Sequence, residues 1–541
     1  MPNVSLILAG AVSLGSFEAG VLDELLYVLD RLNADRPDAD RYRIDSIAGA
    51  SAGSMTAALV AQAVMRGFHH RELLHQAWVE EIGIAALLDD VPANALFSKK
   101  VIEEIGARCL PADGHGPPSS LAADTLALTF TVTNLNGVNY ALARSSAPDV
   151  DATFESTFYA ERRDFRLRRD RPDDDDWAAI RAAAIASGNF PVAFAPTRLA
   201  ADPRQWPDHS LPGLPAEFTY VDGGMFNNEP VGEAVRLARG LDDPGRGAAI
   251  AADRLFLLVD ANLNRASHDL AIDEATGLVD TGTRLATAMM GEATANDWLK
   301  ALRRNNEVDW RDRLVATLAE LVRTLEVTDR DGLRAQLEAA AEDIVARKRA
   351  LFGDDRYPAD YRDQAVGRLT DQFGEHAREM DATRRHIFGN LVFLVNSVSG
   401  LDRKRKLNLH MIHAEDGDVA GELLASFGGF LSREWREHDY TMGRQRTRES
   451  LPWILGIDPT EMPEPEPDVA YEPARDLGDI ELEDAPREAR EQLRFAAMLK
   501  VQKLTAGLEV GPPWMRWLSG SLLRRVVRWA ASSWLGRRLG L

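Results

Sequence analysis

Short apolar runs alternate with helically spaced apolar positions at the start of the chain. Val4 to Leu8 predicts a short buried strand, followed by a loop over 9–16. From about Phe17 to Arg31, Val21, Leu22, Leu25, Leu26 and Leu29 keep helical spacing and predict an amphipathic helix. A polar turn over 33–40 leads to a second short strand, Ile44 to Ala48, then a tight turn over 49–53 and an Ala-rich helix from Met55 to Met65. Strand, helix, strand, helix predicts an α/β fold with a central, mostly parallel sheet. Farther on, Leu126 to Leu135 is β-rich, Trp177 to Ser187 reads as helix, Tyr220 and Val221 close a strand, and Arg254 to Asp260 is another. The stretch 267–385 is mostly helical and charged, and Leu407 to Ile412 reads as a late strand. Ile387 to Val398 contains Gly389, Asn390 and Asn396 and is too short to cross a bilayer; it reads as a buried helix.

Charge changes this picture in two places. The stretch 161–177, with Asp173 to Asp176 consecutive, matches no EF-hand loop and reads as a solvated loop. The acidic, Pro-rich stretch 458–510 reads as a linker. The expected organisation is a core over 1–265, a mainly helical C-terminal lobe over 266–457, that linker, and a basic segment over 511–541.

At 541 residues the chain exceeds one ordinary core. Its 45% hydrophobic and 27% charged residues are those of a globular protein. A formal charge of -21 argues against nucleic-acid binding, which needs a basic face. The single cysteine, Cys109, excludes an intramolecular disulfide and any zinc site built on cysteine pairs. A reducing, cytoplasmic setting is expected. The apolar first 14 residues lack a preceding basic residue, and Glu18, Asp23 and Glu24 follow at once, so they read as a strand and not an export signal.

Gly49-Ala50-Ser51-Ala52-Gly53 fits G-x-S-x-G between a predicted strand and a predicted helix. A sharp turn there exposes the Ser51 hydroxyl, small residues at Gly49 and Gly53 let it form, and the helix N-terminus favours negative charge. All eleven histidines follow Ser51, and none sits in a motif that marks it as a base. Tyr220-Val221-Asp222-Gly223-Gly224 instead places a carboxylate at a strand end, where α/β sheets assemble sites. Ser51 as nucleophile and Asp222 as base is the expected pair, with Gly223 and Gly224 allowing close backbone approach. The loop after the first strand, through Gly10, Ala11, Val12 and Gly15, is the candidate source of oxyanion N–H donors. No metal or other cofactor is expected.

Together the first strand with its loop, the elbow about forty residues on, the late Asp-Gly-Gly and the run Ala186-Ser187-Gly188-Asn189-Phe190-Pro191 resemble the patatin-like phospholipase family. The resemblance covers about residues 4 to 265. It implies a three-layer α/β fold, a Ser51–Asp222 dyad without histidine, and hydrolysis of lipid acyl esters without a metal. The family's loop is usually three glycines, a basic residue and a glycine; here Ala11, Val12 and Leu14 depart from it. A β-branched Val12 at positive φ would be strained. Phe427-Gly428-Gly429-Phe430, with Asp439 to Arg444, resembles the C-terminal part of some bacterial patatin-related proteins, and Arg444 is expected to close that part onto the core.

The segment 511–541 carries six arginines, four tryptophans and no acidic residue. On a helical wheel Arg524, Arg525 and Arg528 share one arc, and Trp529 and Trp534 lie on the apolar side, the pattern of an interfacial helix on an anionic membrane. The expected function is lipid acyl hydrolysis, as a phospholipase A or lysophospholipase, peripheral on the inner face of the membrane. An acyltransferase and a catalytically silent membrane scaffold are the alternatives.

Overall fold

Leu6 and Leu8 face one side of the first strand and Ile7 the other, and all three are fully buried, so both faces of the sheet are covered. The computed structural model describes residues 3–506 apart from 115, 144–152, 172–175, 203–214, 243–252, 262–277, 325, 327–328, 353–356, 402–403, 416, 468, 472, 474–476 and 478–479. Eight strands form one sheet: β1 Asn3–Leu8, β2 Arg43–Gly49, β3 Ala122–Ala143, β4 Thr153–Arg168, β5 Thr197–Ala200, β6 Glu217–Asp222, β7 Leu255–Asp260 and β8 Asn408–His413. Their order is β5-β6-β3-β2-β1-β7-β8, with β4 also paired to β3. The run β3-β2-β1-β7-β8 is parallel; β4, β5 and β6 add antiparallel pairs at one side.

The principal helices are α1 Gly15–Ala34, α2 Ala52–Arg66, α3 Lys100–Cys109, α4 Trp177–Ser187, α5 Val231–Asp242, α6 Leu278–Thr324, α7 Arg330–Phe352, α8 Tyr361–Gln372, α9 Ala382–Ser399, α10 Arg433–Leu455 and α11 Arg487–Ala506. One face of the sheet packs Leu6, Leu8, Ile47 and Leu257 under Leu22 and Leu25 of α1 and Leu59 of α2. The other packs Ile7, Phe256 and Leu258 under Val231, Ala234 and Ala238 of α5. Each Leu, Ile, Val or Phe among them contributes about 1.5–3 kcal/mol by leaving water. The result is the three-layer α/β fold.

Three stretches differ from the expectation. Helices α6 to α9 do form a lobe with a core of their own, including Val315, Val345, Leu369, Phe388 and Phe393. The chain then returns: β8 pairs in parallel with β7, and α10 crosses α1. That crossing is close, since a Cβ on Gly20 would fall 1.9 Å from the Tyr440 carbonyl oxygen. Arg444, fully buried, pairs with Glu24 at 2.9 Å and Asp23 at 3.3 Å on α1. So 408–455 belongs to the main body and not to the lobe expected over 266–457.

The charged run 161–168 is the end of β4, antiparallel to β3, and not a loop. Arg163 and Leu167 are buried while Arg166 and Arg168 are exposed, a period of two hidden by charges on both faces of an edge strand. The stretch 458–510 is not a plain linker: α11 occupies 487–506 of it, and Leu477, Leu482, Ala485 and Ala489 are buried in the main core. Residues 511–541, with Arg524, Arg525, Arg528, Trp529 and Trp534, lie outside the described residues. Among the described residues no helix is long and apolar enough to cross a membrane.

Candidate active site

The parallel strand β2 ends at Gly49 and α2 begins at Ala52, leaving Ser51 to make the turn. It does so at φ 52°, ψ −127°, a conformation side chains rarely adopt and one that persists only where the surroundings enforce it. Two contacts do the enforcing. A Cβ on Gly53 would fall 2.4 Å from the Ala9 carbonyl oxygen, so the elbow sits directly on the end of β1. The Ser51 N–H donates to Ser187 Oγ at 3.0 Å, and that oxygen lies 2.7 Å from Ser54 Oγ.

Asp222 closes β6, opposite Val132 of β3. The Ser51 hydroxyl donates to its Oδ2 at 2.5 Å, and the Gly224 N–H donates to its Oδ1 at 2.7 Å. Its backbone is fixed as firmly: its N–H donates to the Asn189 carbonyl at 3.0 Å, and Thr133 Oγ1 donates to its carbonyl at 2.7 Å. Asp222 is 2% exposed. Burial pushes its carboxyl up to about 7, against the opposing pull of the Ser51 and Gly224 hydrogen bonds. Gly223 follows with its α-carbon against the Thr131 carbonyl, leaving no room for a side chain.

The loop after β1 abuts Ser51, since a Cβ on Gly10 would lie 3.0 Å from Ser51 Cβ. Of the four candidate donors in this loop, two are engaged elsewhere. The Gly10 N–H donates to the Asn228 carbonyl at 3.1 Å, and the Gly15 N–H bonds back to the Val12 and Ser13 carbonyls. Val12 stands at φ 51° and opens a 3-10 turn over Val12–Leu14. The first N–H groups of such a turn have no acceptor within it, which leaves those of Ala11, Val12 and Ser13 as the remaining candidate donors of the loop. Asn228 is a site residue that the sequence reading missed: it also donates from Nδ2 to the Gly10 carbonyl at 3.3 Å, tying the loop to the segment after Asp222. Its place six residues past Asp222, after two glycines, is the only signal for it.

Among the described residues no histidine hydrogen-bonds Ser51 or Asp222. Also among them, one trio, His75, Glu80 and Glu437, has ligand-type atoms within 4.8 Å of one another. Arg433 ion-pairs with both glutamates.

An apolar cleft opens between α2, α3 and α4. It is lined by Met55, Leu59, Trp78, Ile105, Ala184 and Ile185 among others. Met55 is one helical turn from Ser51, and Ala184 is one turn from Ser187, whose Oγ accepts from the Ser51 N–H; Ser51 and Asp222 are not themselves among the lining residues.

Residues 6–235 match the family model described as patatin-like phospholipase. The chain carries a patatin-like domain. The match runs from β1 into α5 and takes in Ser51, Asp222 and Asn228. A patatin-like domain is that of a lipid acyl hydrolase family. The chain is also similar to the uncharacterized protein y4iI of Sinorhizobium fredii, 23% identical over 84% of this chain and 65% of that protein. It is 26% identical to the uncharacterized membrane protein Rv3479 of Mycobacterium tuberculosis, over 56% of this chain and 29% of that one. The chain thus spans less than two thirds of the length of either relative. The y4iI similarity, unlike the family match, extends over most of the chain, including regions beyond the patatin-like domain.

Proposed function

We propose that the chain is a serine acyl-ester hydrolase of lipids, a phospholipase A or lysophospholipase, working through Ser51 and Asp222. The observation that carries this reading is the 2.5 Å hydrogen bond from the Ser51 hydroxyl to Asp222 Oδ2. Ser51 Oγ attacks the ester carbonyl while its proton passes to Asp222. A carboxylate held up to about 7 is a better base than a free one near 3.9. The oxyanion that forms is received by N–H groups of the 11–13 loop and by the N-terminal end of α2. Collapse of the intermediate expels the alcohol, which takes the proton back from Asp222. Water then attacks the acyl-enzyme with Asp222 again as base, and Ser51 is regenerated.

The cleft beside Met55 and Ala184 supports an acyl chain as the group bound next to the ester. The composition of 511–541 supports delivery to an anionic membrane surface, where such esters reside. Fatty acid release from mixed phospholipid vesicles tests the reading. Release that disappears in Ser51→Ala is expected; release that survives it would sink Ser51 as the nucleophile, and none from the wild type would sink the hydrolase and leave the silent scaffold.

A further inference from the structure

The loop that would receive the oxyanion is held by a part of the chain far outside the patatin-like domain. The segment between β8 and α10 runs through a short helix, Leu423–Ser426, and a 3-10 turn, Gly428–Leu431. Ser13 Oγ, fully buried, donates to the Ser426 carbonyl at 2.5 Å and accepts from the Gly429 N–H at 3.0 Å. The fit leaves no slack: a Cβ on Gly429 would fall 2.7 Å from Ser13 Oγ, and one on Gly421 would fall 2.7 Å from Leu14 Cδ2. The strap is itself anchored. The buried Asp439 carboxylate accepts the Ala420 N–H at 2.6 Å and the Gly421 N–H at 3.1 Å. Phe427 packs against Phe97, Phe190 and Phe430.

What the strap holds is strained. Val12 is a β-branched residue at φ 51°, where an L side chain is disfavoured, and such a conformation persists only when neighbours over-determine it. Glycines would adopt it freely; this loop has Ala11 and Val12 instead. We infer that the strap 421–431 is an obligatory part of the active site, and that Ser13 is a positioning residue: its two hydrogen bonds hold the Val12 turn in the conformation that presents the oxyanion donors. The inference rests on the Ser51–Asp222 reading, since it assigns the loop its purpose there.

The test uses the full chain and a soluble short-chain ester. Ser13→Ala should lower kcat at least tenfold with KM changed less than twofold, and should slow fluorophosphonate labelling of Ser51 by a similar factor. A loss of folded protein alone would scale activity and labelled fraction together without changing the labelling rate. Gly429→Ala, which pushes the strap off Ser13 while keeping the hydroxyl, should reproduce the loss. Adding Val12→Gly to Ser13→Ala should restore most of kcat, because glycine reaches the same φ without a clamp. Ser13→Ala with wild-type kcat overturns the clamp, as does a double variant no better than Ser13→Ala. A wild type that neither hydrolyses the ester nor takes the label at Ser51 sinks the hydrolase reading and this inference with it.

Discussion

The Ser51 hydroxyl and the Asp222 carboxylate meet at 2.5 Å although 171 residues separate them in the chain. Each arrives from the end of a strand, β2 and β6, and β3 lies between those strands in the sheet. On the proposed reading, Ser51 is a nucleophile whose proton acceptor is already in place. Ser51→Ala should therefore abolish ester hydrolysis, and Asp222→Asn should lower kcat by at least about 10²–10⁴-fold, the usual worth of a general base. Both should remain folded. Single replacements of His70, His75, His410, His413 or His438 should leave kcat within a few-fold, read on a soluble ester. A folded histidine variant as inactive as Ser51→Ala would overturn the dyad.

Asp222 also sets a pH dependence, because only its ionised form accepts the proton. With its carboxyl raised to about 7, activity on an ester that does not ionise should rise with pH through about 7 and then level. The same shift has the opposite sign for stability. A carboxyl raised on folding favours the folded state fully below its unfolded value near 3.9, and that contribution is lost as pH rises through about 7. Asp222→Asn, neutral at every pH, should then melt higher than the wild type at about pH 8 and show little difference at about pH 4. Equal melting temperatures for the two proteins at both pH values would show that Asp222 is not raised.

Legibility in the sequence followed the distance over which each feature is encoded. The elbow was legible because its strand, turn and helix lie within about thirty residues and the Gly49 and Gly53 positions announce the turn. Helix 177–187 and the late strand near 408–413 followed from local periodicity. Strand β4 was hidden because Arg162, Asp164 and Arg166 put charge on one face while Arg163 lies on the other, erasing the alternation that marks a strand. Asp164 is satisfied only in the fold, by Arg236 at 2.6 Å and Thr129 at 2.7 Å. The clasp of Ser13 by Ser426 and Gly429 has no local signature at all. It joins positions more than 400 apart through one side-chain oxygen.

The cleft lined by Leu59, Ile105 and Ala184 predicts a chain-length effect. Ala184 is buried on α4, so Ala184→Phe would fill part of the cleft at a packing cost of about 1–3 kcal/mol. Turnover of long-chain acyl esters should fall at least tenfold while an acetyl ester is cleaved at nearly the wild-type rate. Equal losses on both, measured on protein of unchanged melting temperature, would show that the acyl chain lies elsewhere.

The basic segment carries the last prediction. The whole chain is strongly acidic, at -21, yet 511–541 holds six arginines and no acidic residue. Without that segment an anionic membrane should repel the protein. With it, each basic residue near the surface contributes about 1 kcal/mol, and the four tryptophans add apolar burial at the boundary. Truncation after Val510 should abolish co-sedimentation with anionic vesicles and slow hydrolysis of vesicle lipid, while a soluble short-chain ester is cleaved at the wild-type rate. Binding by the full chain should weaken as salt rises, since exposed charges are screened within about 8–10 Å at ordinary ionic strength. Undiminished vesicle binding by the truncated chain would show that the contact lies elsewhere, and loss of the soluble esterase activity as well would show that 511–541 supports the folded body instead of the membrane contact.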